Sequence, residues 1–212
     1  MNTPPTDRRV DRLAPAPRVA VIVGSTRPTR ICLGLTTWIQ QALQAVEDLS
    51  GAEVAIRYEL LDLADVHLPF LDEPMIPVFG QYEHAHTRSW SELVSGYQGF
   101  IYVFPQYNWG YPAVLKNALD FLFVEWTGKP ATFASYGRHG GSQAAAQIQT
   151  VLRGLRMCEL DTHLEIVVAP DAIDSDWQIK DLDALLEPYR PDLQLICRQL
   201  HDAFGLGSGA HG

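Results

Sequence analysis

The 212-residue chain is poor in cysteine, short of positive charge and without a long apolar run. Its three cysteines, Cys32, Cys158 and Cys197, are odd in number and widely spaced. They offer neither a disulfide framework nor a zinc-ligand pattern, and they fit a reducing compartment, here read as the cytoplasm. Lys and Arg number 16 against 25 Asp and Glu, a formal net charge of −9. Nucleic-acid binding needs clustered cations, so that balance argues against such a partner while leaving room for a local basic pocket around one small anion. No apolar stretch approaches the roughly 18 residues of a membrane span, and no membrane partner is expected. His84 and His86 stand two apart in a polar stretch without a ligand set of known geometry, so no metal is expected. What the chain does have is 47% hydrophobic residues, enough for one packed domain. That domain is expected over residues 18–204. The polar, Pro-rich opening (1–17), which lacks the apolar core of a signal peptide, and the Gly-rich end (205–212) are expected to be mobile tails.

Strand-like and helix-like segments alternate from Arg18 onward. RVAVIVG (18–24) is a β-branched run and strand one. Residues 33–49 repeat apolar side chains at helical spacing, through Leu35, Trp38, Ile39, Ala42, Leu43 and Val46. Strand two is expected over 54–63, a loop over 64–81, a helix over 84–97, strand three over 99–104 and a helix over 113–126. Strand four follows over 129–137, a helix over 142–157, strand five over 162–169 and a last helix within 181–203. Such alternation predicts an α/β fold of flavodoxin-like type: a five-stranded parallel sheet in the order 2-1-3-4-5 with helices on both faces. In that order ligands bind beyond the carboxyl ends of the strands, where the winding reverses between strands one and three.

Three unusual loops should meet at that edge. GSTRPTR (24–30) joins strand one to the first helix and supplies hydroxyls, two guanidinium groups and a helix N-terminus, a donor set for a phosphate. The chain lacks GxGxxG for a pyrophosphate and GK[ST] for a nucleoside triphosphate, so a terminal monophosphate suits the loop better. After strand three comes PQYNWGYPAVLKNALD (105–120), an aromatic, amide-bearing turn opening into a helix, which suits a flat ligand. SYGRHGG (135–141) follows strand four.

These segments resemble those of the NADPH-dependent FMN reductase family. Its strand-one loop is similar to GSTRP-R, and its strand-three loop has the form PEYN-x-S-x-PG-x-LKNA, matched here by Pro105, Tyr107, Asn108, Pro112, Leu115, Lys116, Asn117 and Ala118. Four positions depart: Gln106 replaces the family's Glu, Gly110 its Ser, Ala113 its Gly, and Trp109 is bulky where substrate approaches. The resemblance implies FMN and NADPH (or NADH) as cofactors. It implies phosphate contacts from Ser25, Arg27 and Arg30 with helix-start amides near Cys32 and Leu33. It also implies ring contacts from Pro105, Gln106, Tyr107, Asn108 and Trp109, with Ser135, Tyr136 and Gly137 at the other edge. The implied activity is hydride transfer from NAD(P)H through FMN to a small acceptor such as a flavin, a quinone, or a nitro or azo compound. No side-chain nucleophile is needed, because the cofactor carries the chemistry. A homodimer or homotetramer is implied as well. Two alternatives use the same crevice: a flavodoxin-type electron carrier docking partners through its acidic surface, and a flavin-binding scaffold without catalysis.

Overall fold

A computed structural model of the protein describes residues 15–206; most of both expected tails, 1–14 and 207–212, lies outside the described residues. Strand β1 (Arg18–Val23) lies in the middle of a parallel sheet, between β2 (Arg57–Asp62) and β3 (Gly99–Pro105). The sheet continues through β4 (Pro130–Gly137) to β5 (Cys158–Glu159), and β6 (Leu164–Val167) also pairs with β4. The order β2-β1-β3-β4-β5 is the one expected. The fifth position differs in detail: β5 pairs with the first half of β4 and β6 with its second half. The sequence reading placed one strand over 162–169 and missed Cys158–Glu159, which is too short to show a period.

Period-2 alternation divides the strands between two cores. Ala20, Ile22, Phe100, Tyr102 and Phe104 face one core, with Trp90 and Trp126. Val19, Val21, Val23, Ile101 and Val103 face the other. The first core is covered by α3 (Ala85–Ser95), α4 (Ala113–Asp120) and α5 (Ser142–Gly154). The second is covered by α1 (Cys32–Ser50) and α7 (Arg190–Ala203).

Short elements account for the remaining differences. The one-turn helix α2 (Leu63–Val66) begins where β2 ends, capped by the Asp62 side chain, and a 3₁₀ turn (Pro77–Phe79) lies in the expected loop. Helix α4 stops at Asp120, short of the predicted 126. The single helix predicted over 181–203 is divided: α6 (Leu182–Leu186), a 3₁₀ turn (Glu187–Tyr189), then α7. Pro188 and Pro191 remove the N–H donors that a continuous helix would need there.

Candidate functional site

At the carboxyl edge β1 and β3 diverge towards opposite neighbours, and the chain leaves β1 through Gly24. A Cβ on Gly24 would stand 2.8 Å from the Val103 carbonyl oxygen, which instead accepts the Gly24 N–H at 2.8 Å. Glycine therefore lets the first loop start flush against β3. Ser25 is buried, whereas Thr26, Arg27, Pro28 and Thr29 are exposed. Helix α1 carries no side-chain N-cap and no acidic residue in its first turn. Its first N–H groups are orphaned donors at the positive end of the helix dipole.

The two arginines of the loop differ. Arg30 donates to Asp62 at the end of β2 at 2.5 Å, and both side chains are mostly buried. Its Nε is buried without a partner among the described residues. Arg27 forms no ion pair among the described residues, and its guanidinium lies 6.0 Å from the centre of the Trp177 ring. Cys32 donates its thiol to the Val103 carbonyl at 3.2 Å, and burial pushes that thiol up to about 11 despite hydrogen bonds from Tyr136 and Thr36. A thiol held this way is a packing group, so Cys32 and Leu33 can serve an anion through their backbone N–H groups.

Beyond β3 the chain turns back on itself. Tyr107 and Gly110 exchange two backbone hydrogen bonds at 2.8 and 2.9 Å, and both residues between them have positive φ, Asn108 at 46° and Trp109 at 72°. That is the signature of a type I′ turn, held here by two non-glycine residues. The turn projects Trp109 into solvent, 69% exposed. Among the described residues the Asn108 and Trp109 N–H groups have no protein acceptor. The Tyr107 hydroxyl and the Ser25 hydroxyl are 3.1 Å apart, joining this turn to the first loop.

The third loop is tied to the second. Gln106 donates its N–H to the Tyr136 carbonyl at 2.9 Å. Its side-chain Oε1 accepts from Gln143 and Ala144 N–H at 3.0 and 3.3 Å, at the start of α5. Gln147 donates to the Trp109 carbonyl at 3.1 Å and lies where a Gly110 side chain would stand. Ser135 is buried and donates to the Gly140 carbonyl at 2.7 Å, shaping the loop from inside. The Tyr136 ring is buried in the α1-side core, where desolvation pushes its phenol well up. Pro105 is buried at the end of β3, and Gly137 closes β4 beside Gln106.

The predicted site residues thus gather at one edge, but in two roles. Ser25, Arg27, Tyr107, Asn108, Trp109 and the amides of Cys32 and Leu33 carry the polar groups and the ring at this edge. Gln106, Ser135, Tyr136 and Gly137 make the hydrogen bonds that shape and join the second and third loops, while Arg30 ties the first loop to β2. Trp177, on the segment after β6, was not among the expected residues. The rule that ligands sit beyond the carboxyl ends of strands could have singled it out.

The arrangement defines a class: a doubly wound α/β protein whose donor-rich first loop and type I′ turn lie side by side at the switch point. Residues 17–169 match the NADPH-dependent FMN reductase family, and the chain belongs to it. It is 41% identical over 159 residues to an NAD(P)H-dependent FMN reductase of Schizosaccharomyces pombe, covering 74% of this chain and 76% of that protein. It is 41% identical over 146 residues to an NAD(P)H-dependent FMN reductase of Saccharomyces cerevisiae, covering 66% and 75%. Among solved structures, the flavoenzyme NAD(P)H:(acceptor) oxidoreductase FerB of Paracoccus denitrificans shares the fold with a TM-score of 0.65 at 21% identity, over 90% of this chain and 98% of that one. The protein is therefore an oxidoreductase that uses FMN and NAD(P)H.

Proposed function

We propose that FMN binds across the three loops and that the protein passes reducing equivalents from NAD(P)H to a small flat acceptor: a free flavin, a quinone, or a nitro or azo compound. The observation that carries this reading is the Ser25–Tyr107 hydrogen bond of 3.1 Å. It ties the loop that leads into the uncapped start of α1 to the type I′ turn, which supports one ligand reaching both, a phosphate at one end and a ring at the other. The donor set fits FMN: orphaned helix N–H groups and the unpaired Arg27 suit a monophosphate dianion. The turn's free N–H groups suit a polar ring edge.

When bound, FMN supplies the two-electron relay between nicotinamide and acceptor. Arg27 would offset part of the phosphate's charge, and the α1 amides would donate hydrogen bonds to it. The Asn108 and Trp109 N–H groups would serve as fixed donors favouring negative charge on a ring edge held against them. Trp109 offers an exposed indole plane against which a second flat molecule can stack.

The same reading extends to a homodimer or homotetramer in the cytoplasm. Phe70, Ile76 and Phe79 are 82%, 61% and 59% exposed on the segment between α2 and α3, and the exposed Val124 packs beside Gly80. Several large apolar side chains exposed on one segment favour a protein interface, and a second copy of the chain is the occupant proposed. Among the described residues no helix is long and apolar enough to cross a membrane.

The test is to mix FMN-free protein with FMN and add NADPH anaerobically. The expected result is a yellow protein whose flavin bleaches without any partner protein. A chain that takes up no FMN, or FMN that stays oxidised under excess NADPH and NADH, overturns the reading.

A further inference from the structure

At the opposite end of the sheet from the flavin crevice, three side chains converge that this chemistry does not use. Glu47 comes from the last turns of α1, and Cys197 and His201 lie one turn apart on α7. The Glu47 carboxylate is completely buried. It accepts from the Cys197 thiol at 2.8 Å, meets His201 Nε2 at 2.9 and 3.0 Å, and accepts from the Ile56 N–H at 3.2 Å. The Tyr58 hydroxyl reaches the same carboxylate at 3.4 Å. One ligand atom from each of Glu47, Cys197 and His201 lies within 4.8 Å of the others. Beside them opens a cavity of about 1010 Å³, lined by Val46, Leu49, Val54 and Arg198 as well as by Cys197 and His201.

We propose that Glu47, Cys197 and His201 form a binding site for a divalent transition ion of the zinc type. Thiolate, imidazole and carboxylate are the three ligand classes that zinc takes, and the cavity leaves its fourth position to water. The charge balances: one carboxylate and one thiolate match a dication, so the buried site is neutral when loaded. The Cys197 thiol gives up its proton to water as the metal–sulfur bond forms, and His201 coordinates through the neutral Nε2. A tetrahedral ion with bonds of about 2.0–2.3 Å needs neighbouring ligand atoms roughly 3.3–3.6 Å apart. From their hydrogen-bonded spacing of 2.8–3.0 Å, the carboxylate and its thiol and imidazole partners need to open by roughly 0.3–0.8 Å. His201, 15% exposed at the cavity rim, has room to make that shift. The backbone N–H of Ile56 and the Tyr58 hydroxyl stay as hydrogen bonds to the carboxylate, holding it in place as outer partners do at metal sites.

Cobalt(II) is the probe, added anaerobically to the full-length, reduced, FMN-loaded protein. The expected result is one ion per chain, a near-ultraviolet sulfur-to-metal charge-transfer band, and intense visible bands of a tetrahedral ion that zinc abolishes. Cys197→Ser removes the charge-transfer band, His201→Ala removes the visible bands, and Cys158→Ser, at an exposed thiol, changes neither. Cys197→Ser is nearly isosteric and keeps a hydroxyl donor for Glu47, so loss of the band in that variant, with its flavin retained, cannot be ascribed to unfolding. A wild-type protein that shows no bands under excess cobalt, or bands that survive in Cys197→Ser, overturns the proposal and leaves the trio as a hydrogen-bonded clasp between α1 and α7.

Discussion

Arg27 and Arg30 stand three residues apart in one loop and are chemically identical, yet their surroundings give them different work. Arg27 is exposed and has no carboxylate partner among the described residues, so its charge is free for the phosphate proposed above. Arg27→Ala is expected to weaken FMN binding by about 1.5–3 kcal/mol, the size of a lost charge-assisted hydrogen bond, while the thermal midpoint of the FMN-free protein stays put. Fluorescence titration of FMN and a melting curve check both halves; unchanged affinity contradicts the role given to Arg27. Arg30→Ala is expected to do the reverse in its main effect. It leaves the mostly buried Asp62 without its cation, and the FMN-free protein should lose about 1.5–3 kcal/mol of stability, measured by urea unfolding. The sequence displayed both guanidinium groups but could not separate them, because Asp62 lies 32 residues further on and only the β1–β2 pairing brings it close.

Among the elements, α5 begins with a deficit that a neighbouring loop makes good. Its N-cap is Gly141, which has no side chain to offer, and Gln106 reaches across to accept from the first-turn N–H groups of Gln143 and Ala144. The family's Glu at this position thus has a structural reading that the motif alone did not reveal. Gln106→Glu is expected to stabilise the protein at neutral pH by about 0.3–1 kcal/mol, the usual gain for a carboxylate at a helix N-terminus. The helix end depresses the new carboxyl's pKa in the folded state. The gain is therefore whole above the unfolded value of about 4.3 and disappears as the pH falls through the lower folded value. Denaturant midpoints of both proteins at neutral and acid pH check it, and a gain that persisted in acid would contradict the capping account.

The elements themselves were largely legible. A β-branched run marked β1, an apolar run marked β3 and helical spacing marked α1, and the three odd loops were placed correctly at one edge. The parts that escaped are those that tertiary contacts decide. Cys158–Glu159 is a strand only because β4 lies beside it, and the turn at Asn108 and Trp109 takes two positive φ values without the glycines that would announce it. The Glu47–Cys197–His201 cluster escaped for a similar reason. The i, i+4 spacing of Cys197 and His201 was visible, but their partner sits 150 residues earlier than Cys197.

For the whole molecule, the buried acids set its response to alkali. Burial pushes the Cys32 thiol up to about 11 and the Cys197 thiol up to about 12, the latter helped by its hydrogen bond to Glu47. An unfolded thiol titrates near about 8.5. Below that pH both states keep the protons, and the thiols' contribution to stability is whole. As the pH rises from about 8.5 towards 11, the unfolded chain releases protons that the folded one retains, so stability must fall. The phenols of Tyr58 and Tyr136, also pushed up by burial, act in the same direction once the pH passes the ordinary phenol value of about 10. Growing net negative charge works this way too, but salt screens it, whereas it does not screen protonation of a buried group. Urea midpoints measured in high salt, with a chelator present so that no ion replaces the Cys197 proton, should therefore still fall between about pH 8.5 and 10. Cys32→Ala should make that fall shallower even where it lowers stability overall. A midpoint that stays flat across the range in the wild-type protein, or a slope unchanged in Cys32→Ala, would mean that these thiols are not held protonated by the fold.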